Sequence, residues 1–160
     1  MTVGAPSGIK LLMYFSQIFL LTATLISLNV WSGPTSRNCE YYRDIEARFL
    51  CGRAGYPLNY GYRMCKLYLG QQSQVSPGLK NWFPKVRFCL QKYLYNNQTR
   101  FHGCEDLKAR ALNSHVACYV KTGFCELPWS DRLSIIRSLQ WGVFSPEVLA
   151  QAYGVQRACP

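Results

Sequence analysis

The chain has 160 residues, 49% hydrophobic and 16% charged, and its 18 Lys and Arg against 8 Asp and Glu leave a formal net charge of +10. So much apolar content excludes a disordered chain, and the length excludes a large multi-domain enzyme. Part of the apolar share sits in one uncharged run near the start, so what remains to fold is one small domain.

That run, Leu11 to Trp31, follows Lys10 and is dense in Leu, Ile, Phe and Tyr. Lys10 supplies the basic start of a signal peptide. Val30 and Ser32 supply positions −3 and −1 of a cut that leaves Gly33 as the first mature residue. The run is 21 residues long, enough for a membrane-spanning helix, although Ser16, Gln17, Thr22, Thr24, Ser27 and Asn29 interrupt it. Two alternatives follow: residues 1–32 are a cleaved signal peptide, or residues 11–31 persist as an anchor at the cell surface. Both place residues 33–160, a single domain, outside the cytosol.

All eight cysteines, Cys39, Cys51, Cys65, Cys89, Cys104, Cys118, Cys125 and Cys159, follow the run, and an even set suits full pairing in an oxidising compartment. None of the spacings is CxxC, and His102 and His115 are the only histidines, so neither a metal framework nor a cofactor is expected. Four disulfides are expected instead, each worth roughly 2–4 kcal/mol through restriction of the unfolded chain.

Periodicity then predicts helices in order. Cys39, Tyr42, Ile45 and Phe49 make the apolar stripe of a first helix over Asn38–Leu50. GRAGYPLNYG, residues 52–61, is expected to be a turn-rich loop, and its aromatic-rich part from Tyr56 to Tyr62 serves either as a recognition surface or as a flap over a small core. A second short helix carries Tyr62, Cys65, Leu67, Tyr68 and Leu69 and ends at Gly70. The chain is then polar to a break at Pro77-Gly78. A third helix is expected to start between Asn81 and Pro84, with Val86, Cys89, Leu90, Tyr93 and Leu94 inward and Lys85, Arg87 and Lys92 on a basic outer side. After a polar connection at Asn96–Thr99, a fourth helix turns Cys104, Leu107, Ala111, His115 and Cys118 inward and closes near Gly123. Ser130 caps a fifth, with Asp131 in its first turn, Leu133, Ile136 and Leu139 as its stripe and Gly142 at its end. Ser145 caps a sixth, opened by Pro146 and Glu147 and ended by Gly154. The fold class is therefore all-α, a disulfide-rich bundle of five to six short helices.

Sites are sparse. The sequon Asn97-Gln98-Thr99 marks Asn97 as a glycosylation site in a predicted loop. Lys80, Lys85, Arg87, Lys92 and Arg100, with Lys108 and Arg110 on the next helix, form a candidate basic patch. Outside the cell its counterparts would be glycosaminoglycan, an acidic protein or anionic lipid, and not nucleic acid. His115-Val116-Ala117-Cys118-Tyr119 resembles the HDxCY catalytic helix of secreted phospholipases A2. Val116 stands where that chemistry needs an Asp for calcium, so the resemblance implies a lipid-binding protein without catalysis.

The intervals from Cys65 onward, 24, 15, 14, 7 and 34 residues, run through CKLYL, FPKVRFCLQKYL and GCEDLKARALNSHVACYVKTGFC to Cys159. This framework resembles stanniocalcin, a family of secreted glycoprotein hormones, over about 95 of the 128 residues that follow the signal. The resemblance implies pairing of Cys39 with Cys65, Cys51 with Cys104, Cys89 with Cys118 and Cys125 with Cys159, a choice that spacing alone leaves open. It also implies a secreted, non-enzymatic, hormone-like or signalling protein that binds an extracellular protein or receptor. The family's additional N-terminal Cys pair and its late chain-joining Cys have no equivalent here, so no covalent dimer is expected.

Overall fold

The computed structural model describes residues 33–138 and 146–159. The signal or anchor reading of residues 1–32, the helix end at Gly142 and the Ser145 cap lie outside these residues. Among the described residues the fold is all-α, with six α-helices and no strand: α1 Tyr41–Phe49, α2 Arg63–Gly70, α3 Pro77–Asn97, α4 Cys104–Lys121, α5 Trp129–Ser138 and α6 Pro146–Ala158.

Four helix boundaries differ from the sequence expectation, each for a local reason. Residues 52–55 form the expected turn, but the rest of the stretch is not a loop. Tyr56–Tyr62 winds into a π-helical segment that runs straight into α2 and buries Tyr56, Pro57 and Gly61 against α1. Of the two roles considered for that stretch, covering a core is the one observed. The third helix starts earlier than expected, at Pro77. Ser76 Oγ accepts the Leu79 amide at 3.2 Å, and Pro77 sits where no amide is needed. Pro84 is thus interior to α3, which gives up one helical hydrogen bond there and runs on to Asn97. The fifth helix begins one residue before Ser130, and Asp131 does more than favour its own first turn. Its carboxylate accepts the Ser76 hydroxyl at 2.6 Å, joining the starts of α3 and α5. Finally, α6 runs through Gly154 to Ala158. Gly154 serves close approach: a Cβ there would lie 3.1 Å from Val116 Cγ2 of α4, the helix α6 packs on most extensively.

Two apolar clusters fill the domain. One gathers Met64, Tyr68, Leu79, Trp82, Phe83, Val86, Leu90, Phe124, Leu127, Ile135 and Val155; Tyr68 stacks on Phe83 at 4.7 Å. The other gathers Tyr41, Tyr42, Ile45, Tyr56, Leu94, Phe101, Leu107, Ala111 and Leu112 around the Cys39–Cys65 bridge. The stripe of α5 is shifted by one residue from the expected one. Ile135 is buried and Ile136 is 39% exposed, because Asp131 and Ile135, one turn apart, are the residues that face α3.

The cross-links are Cys39–Cys65, Cys51–Cys104, Cys89–Cys118 and Cys125–Cys159, with Cα separations of 5.9, 5.5, 5.7 and 5.2 Å. No free cysteine is found among the described residues. Cys39 and Cys51 flank α1, so both its ends are tied down, while Cys125–Cys159 ties the end of α6 to the turn before α5.

Candidate functional site: an apolar cleft and a basic helical face

The 3.6-residue repeat of α4 turns Leu107, Ala111, Leu112, Ser114, His115 and Cys118 inward. His115 is 5% exposed, and its Nδ1 lies 2.9 Å from the Ala111 carbonyl and 3.1 Å from that of Leu112. Carbonyls only accept, so Nδ1 carries the proton and donates. Burial pushes the imidazole down to about 4 from its ordinary value near 6.5, against the pull of those two carbonyls, so the ring is neutral at pH 7. Tyr60 meets it edge-on with ring centres 5.8 Å apart.

Beyond His115 and Tyr119 opens a cleft of about 200 Å³ between α4, α5 and α6. Phe124, Trp129, Ile135, Ile136, Val148 and Val155 make its apolar walls, Gln151 and Gln156 add polar groups, and among the described residues no charged side chain lines it. Trp129 is 62% exposed, and Leu149 and Tyr153 on α6 are 54% and 65% exposed. This end of the molecule therefore shows water an unusual share of large apolar side chains. Its chemistry is that of an apolar receptor with one neutral imidazole at its base. Val116, next to His115 in sequence, is occupied in packing near Gly154. Among the described residues no group of three or more His, Cys, Asp or Glu is arranged to hold a metal ion.

The basic residues are not gathered as one patch. Arg87 is a correction: it is 2% exposed and belongs to the interior. Its Nη2 donates to the Ser36 carbonyl at 2.8 Å and to Gln72 Oε1 at 3.2 Å. Residue 87 falls on the stripe of Phe83, Val86, Leu90 and Leu94, and the chain before α1 crosses over it. Gln91, one turn on, is likewise buried, donating to the Thr35 and Asn38 carbonyls at 2.8 and 3.2 Å. A polar pair at i and i+4 on an apolar stripe was the available signal for this inward site. Arg110 is exposed, but its charge is matched by Asp106 at 2.7 Å. That guanidinium, with the His102 amide, holds the Asp106 carboxyl below its ordinary value. On α3, Lys85 and Lys92 share a face about 10 Å apart along the axis. Phe88 lies between them, 39% exposed and under the Lys92 ammonium at 5.6 Å. Lys80 and Arg100 are exposed elsewhere and Lys108 is half-buried. The basic face is thus Lys85, Phe88 and Lys92.

Asn97 is the last residue of α3 and not part of a loop. It is half-buried, and its Nδ2, the atom a glycan would occupy, donates to the Tyr93 carbonyl at 2.8 Å.

No family model matches the chain, and no curated protein or solved structure matches it either. Among the described residues no helix is long and apolar enough to cross a membrane.

Proposed function

We propose that this is a secreted, non-enzymatic, stanniocalcin-like glycoprotein that acts by binding another extracellular protein or receptor. The observation that carries this reading is the set of four bridges, which join the same partners that the stanniocalcin framework implies and tie down every described helix except α5. A bundle pinned in this way presents a fixed exterior and loses little freedom on docking. Its basic face on α3 suits an acidic surface on the partner, with glycosaminoglycan or anionic lipid as alternative counterparts.

Binding of the exported, labelled chain to intact cells tests this reading. Saturable binding that is competed by unlabelled protein and lost after trypsin treatment of the cells is expected. Binding removed by heparinase instead, or never saturating, would overturn a protein receptor. Mass spectrometry of the same material gives the mature N-terminus and the occupancy of Asn97.

A second reading, a phospholipase A2-like lipid binder without hydrolysis, is favoured by one observation, the apolar cleft that begins at His115. Its walls suit an acyl chain, while among the described residues His115 has no carboxylate partner and Val116 replaces the Asp of the phospholipase motif. Displacement of a fluorescent fatty acid, weakened by Trp129→Ala, supports it; calcium-dependent release of fatty acid from phospholipid, lost in His115→Gln, would replace binding by catalysis.

A further inference from the structure

Arg87 brings a positive charge into the interior and, among the described residues, has no partner of opposite sign. Its hydrogen bonds go to a backbone carbonyl and a side-chain amide oxygen, both neutral and both served by Nη2. Nε and Nη1 are buried and have no hydrogen-bond partner. Among the described residues no Asp or Glu forms an ion pair with it. Taking an ion out of water costs several kcal/mol unless something nearby restores the balance.

The same side chain lines a small cavity of about 20 Å³, shared with Tyr42, Tyr56, Tyr68, Tyr119 and His115. The cavity is rich in donors. Tyr68 and Tyr119 hydroxyls lie 3.2 Å apart and bond each other, and the Tyr42 and Tyr56 hydroxyls interact close by. The Tyr68–Tyr119 pair spends one hydroxyl proton and keeps one to offer. Burial pushes all four hydroxyls upward, so no phenolate forms to supply the missing negative charge. His115 is neutral and contributes at most one lone pair. Gln91 Oε1 is a further buried acceptor without a partner, but Gln91 does not line this space.

We propose that this cavity is a binding site for a single monoatomic anion of the halide class, held by Arg87 Nε and Nη1 and by the spare tyrosine hydroxyl protons. A water molecule would satisfy the donors but leave the guanidinium charge uncompensated, whereas a halide does both. The space admits one particle of about water size, which excludes phosphate and sulfate. Chloride is the abundant ion of this class outside cells.

Crystals of the exported chain soaked in sodium bromide test the proposal directly. An anomalous peak in the cavity, in contact with Arg87 Nε or Nη1, is expected; water alone there, with bromide confined to the surface, overturns it. In parallel, thermal midpoints of the wild-type chain are compared in sodium chloride and in sodium gluconate at equal ionic strength. The midpoint should rise with chloride and level off, as binding to the folded state alone requires. Arg87→Met should lose that dependence and Arg110→Met should keep it. An equal chloride response in all three proteins overturns the site. Should Arg87→Met fail to be exported, the bromide map of the wild-type protein decides alone.

Discussion

The two ends of the bundle solve the problem of covering apolar surface in opposite ways. At the α1 end, both flanks of a nine-residue helix are cross-linked, and the π-helical segment folds over it, burying Tyr42, Tyr56 and Gly61 and leaving Leu50, just past the helix, as the large apolar side chain in water. At the α5–α6 end a single bridge closes the chain, and Trp129, Leu149 and Tyr153 stay largely in water near a cleft whose wall includes the partly exposed Ile136. The closed end uses aromatic rings with polar tips that bond one another. The open end uses side chains with few polar atoms, which suits it to a ligand or partner that replaces water.

The contrast can be broken most strongly at the sulfurs. Replacing Cys51 and Cys104 together by Ser is expected to cost about 3–4 kcal/mol, measured by urea unfolding, with loss of protection from hydrogen exchange concentrated in α1. The same replacement at Cys125 and Cys159 should cost a comparable amount but expose α6. If both pairs release the same amides, the two ends are one cooperative unit and the comparison fails.

His115 sits where the two ends meet and makes stability depend on pH. Its folded value, about 4, lies below its ordinary value near 6.5, so the unfolded chain binds the proton more readily between those limits. Stability is therefore lost as pH falls through that window, by up to about 3 kcal/mol. Unfolding midpoints measured from pH 7 to pH 4 should show this slope. His115→Gln should flatten it, leaving the partly exposed Asp106 to act at lower pH.

Two glycines sharpen the comparison. A Cβ at Gly61 would stand 2.4 Å from the Tyr42 ring, so Gly61→Ala should destabilise by about 1–3 kcal/mol. At Gly154 the nearest atom would be a methyl 3.1 Å away, and the helix gains from Ala, so Gly154→Ala should change stability by less than about 1 kcal/mol. Thermal denaturation of the pair tests whether packing is tighter at the closed end. The smallest effect is expected at the cleft mouth, where Trp129→Ala should alter stability by under about 0.5 kcal/mol while reducing the binding of an apolar fluorescent probe.

Much of the helical plan was legible residue by residue. The stripes of α1, α3 and α4 face inward as read, since a 3.6-residue repeat of apolar groups states directly which side leaves water. The boundaries set by proline and glycine were less so. Pro77 and Pro84 both occur in α3, and only the Ser76 hydroxyl, bonded to Leu79 and to Asp131 of a distant helix, selects the first as the start. Gly154 carries the signature of a helix end yet sits inside one, because its missing side chain is needed by Val116 and not by the backbone.

The candidate sites divide in the same way. Lys85 and Lys92 were visible as outward charges, whereas Arg87 was misread because its acceptor, the Ser36 carbonyl, lies 51 positions earlier in the chain. The cleft left no pattern at all, being lined by side chains from three helices, the π-helical segment and the Phe124 turn.

By itself the order of residues determined the helical class, the inward stripes and an even complement of sulfur suited to oxidation, because these depend on composition and on neighbours a few positions away. Only the tertiary structure decided that a glycine- and tyrosine-rich stretch would wind over α1, that one arginine would be sealed inside, and that α5 and α6 would leave a gap beside His115. Each of those outcomes depends on groups far apart in sequence meeting in space, and a local repeat carries no record of which distant surface its buried face will meet.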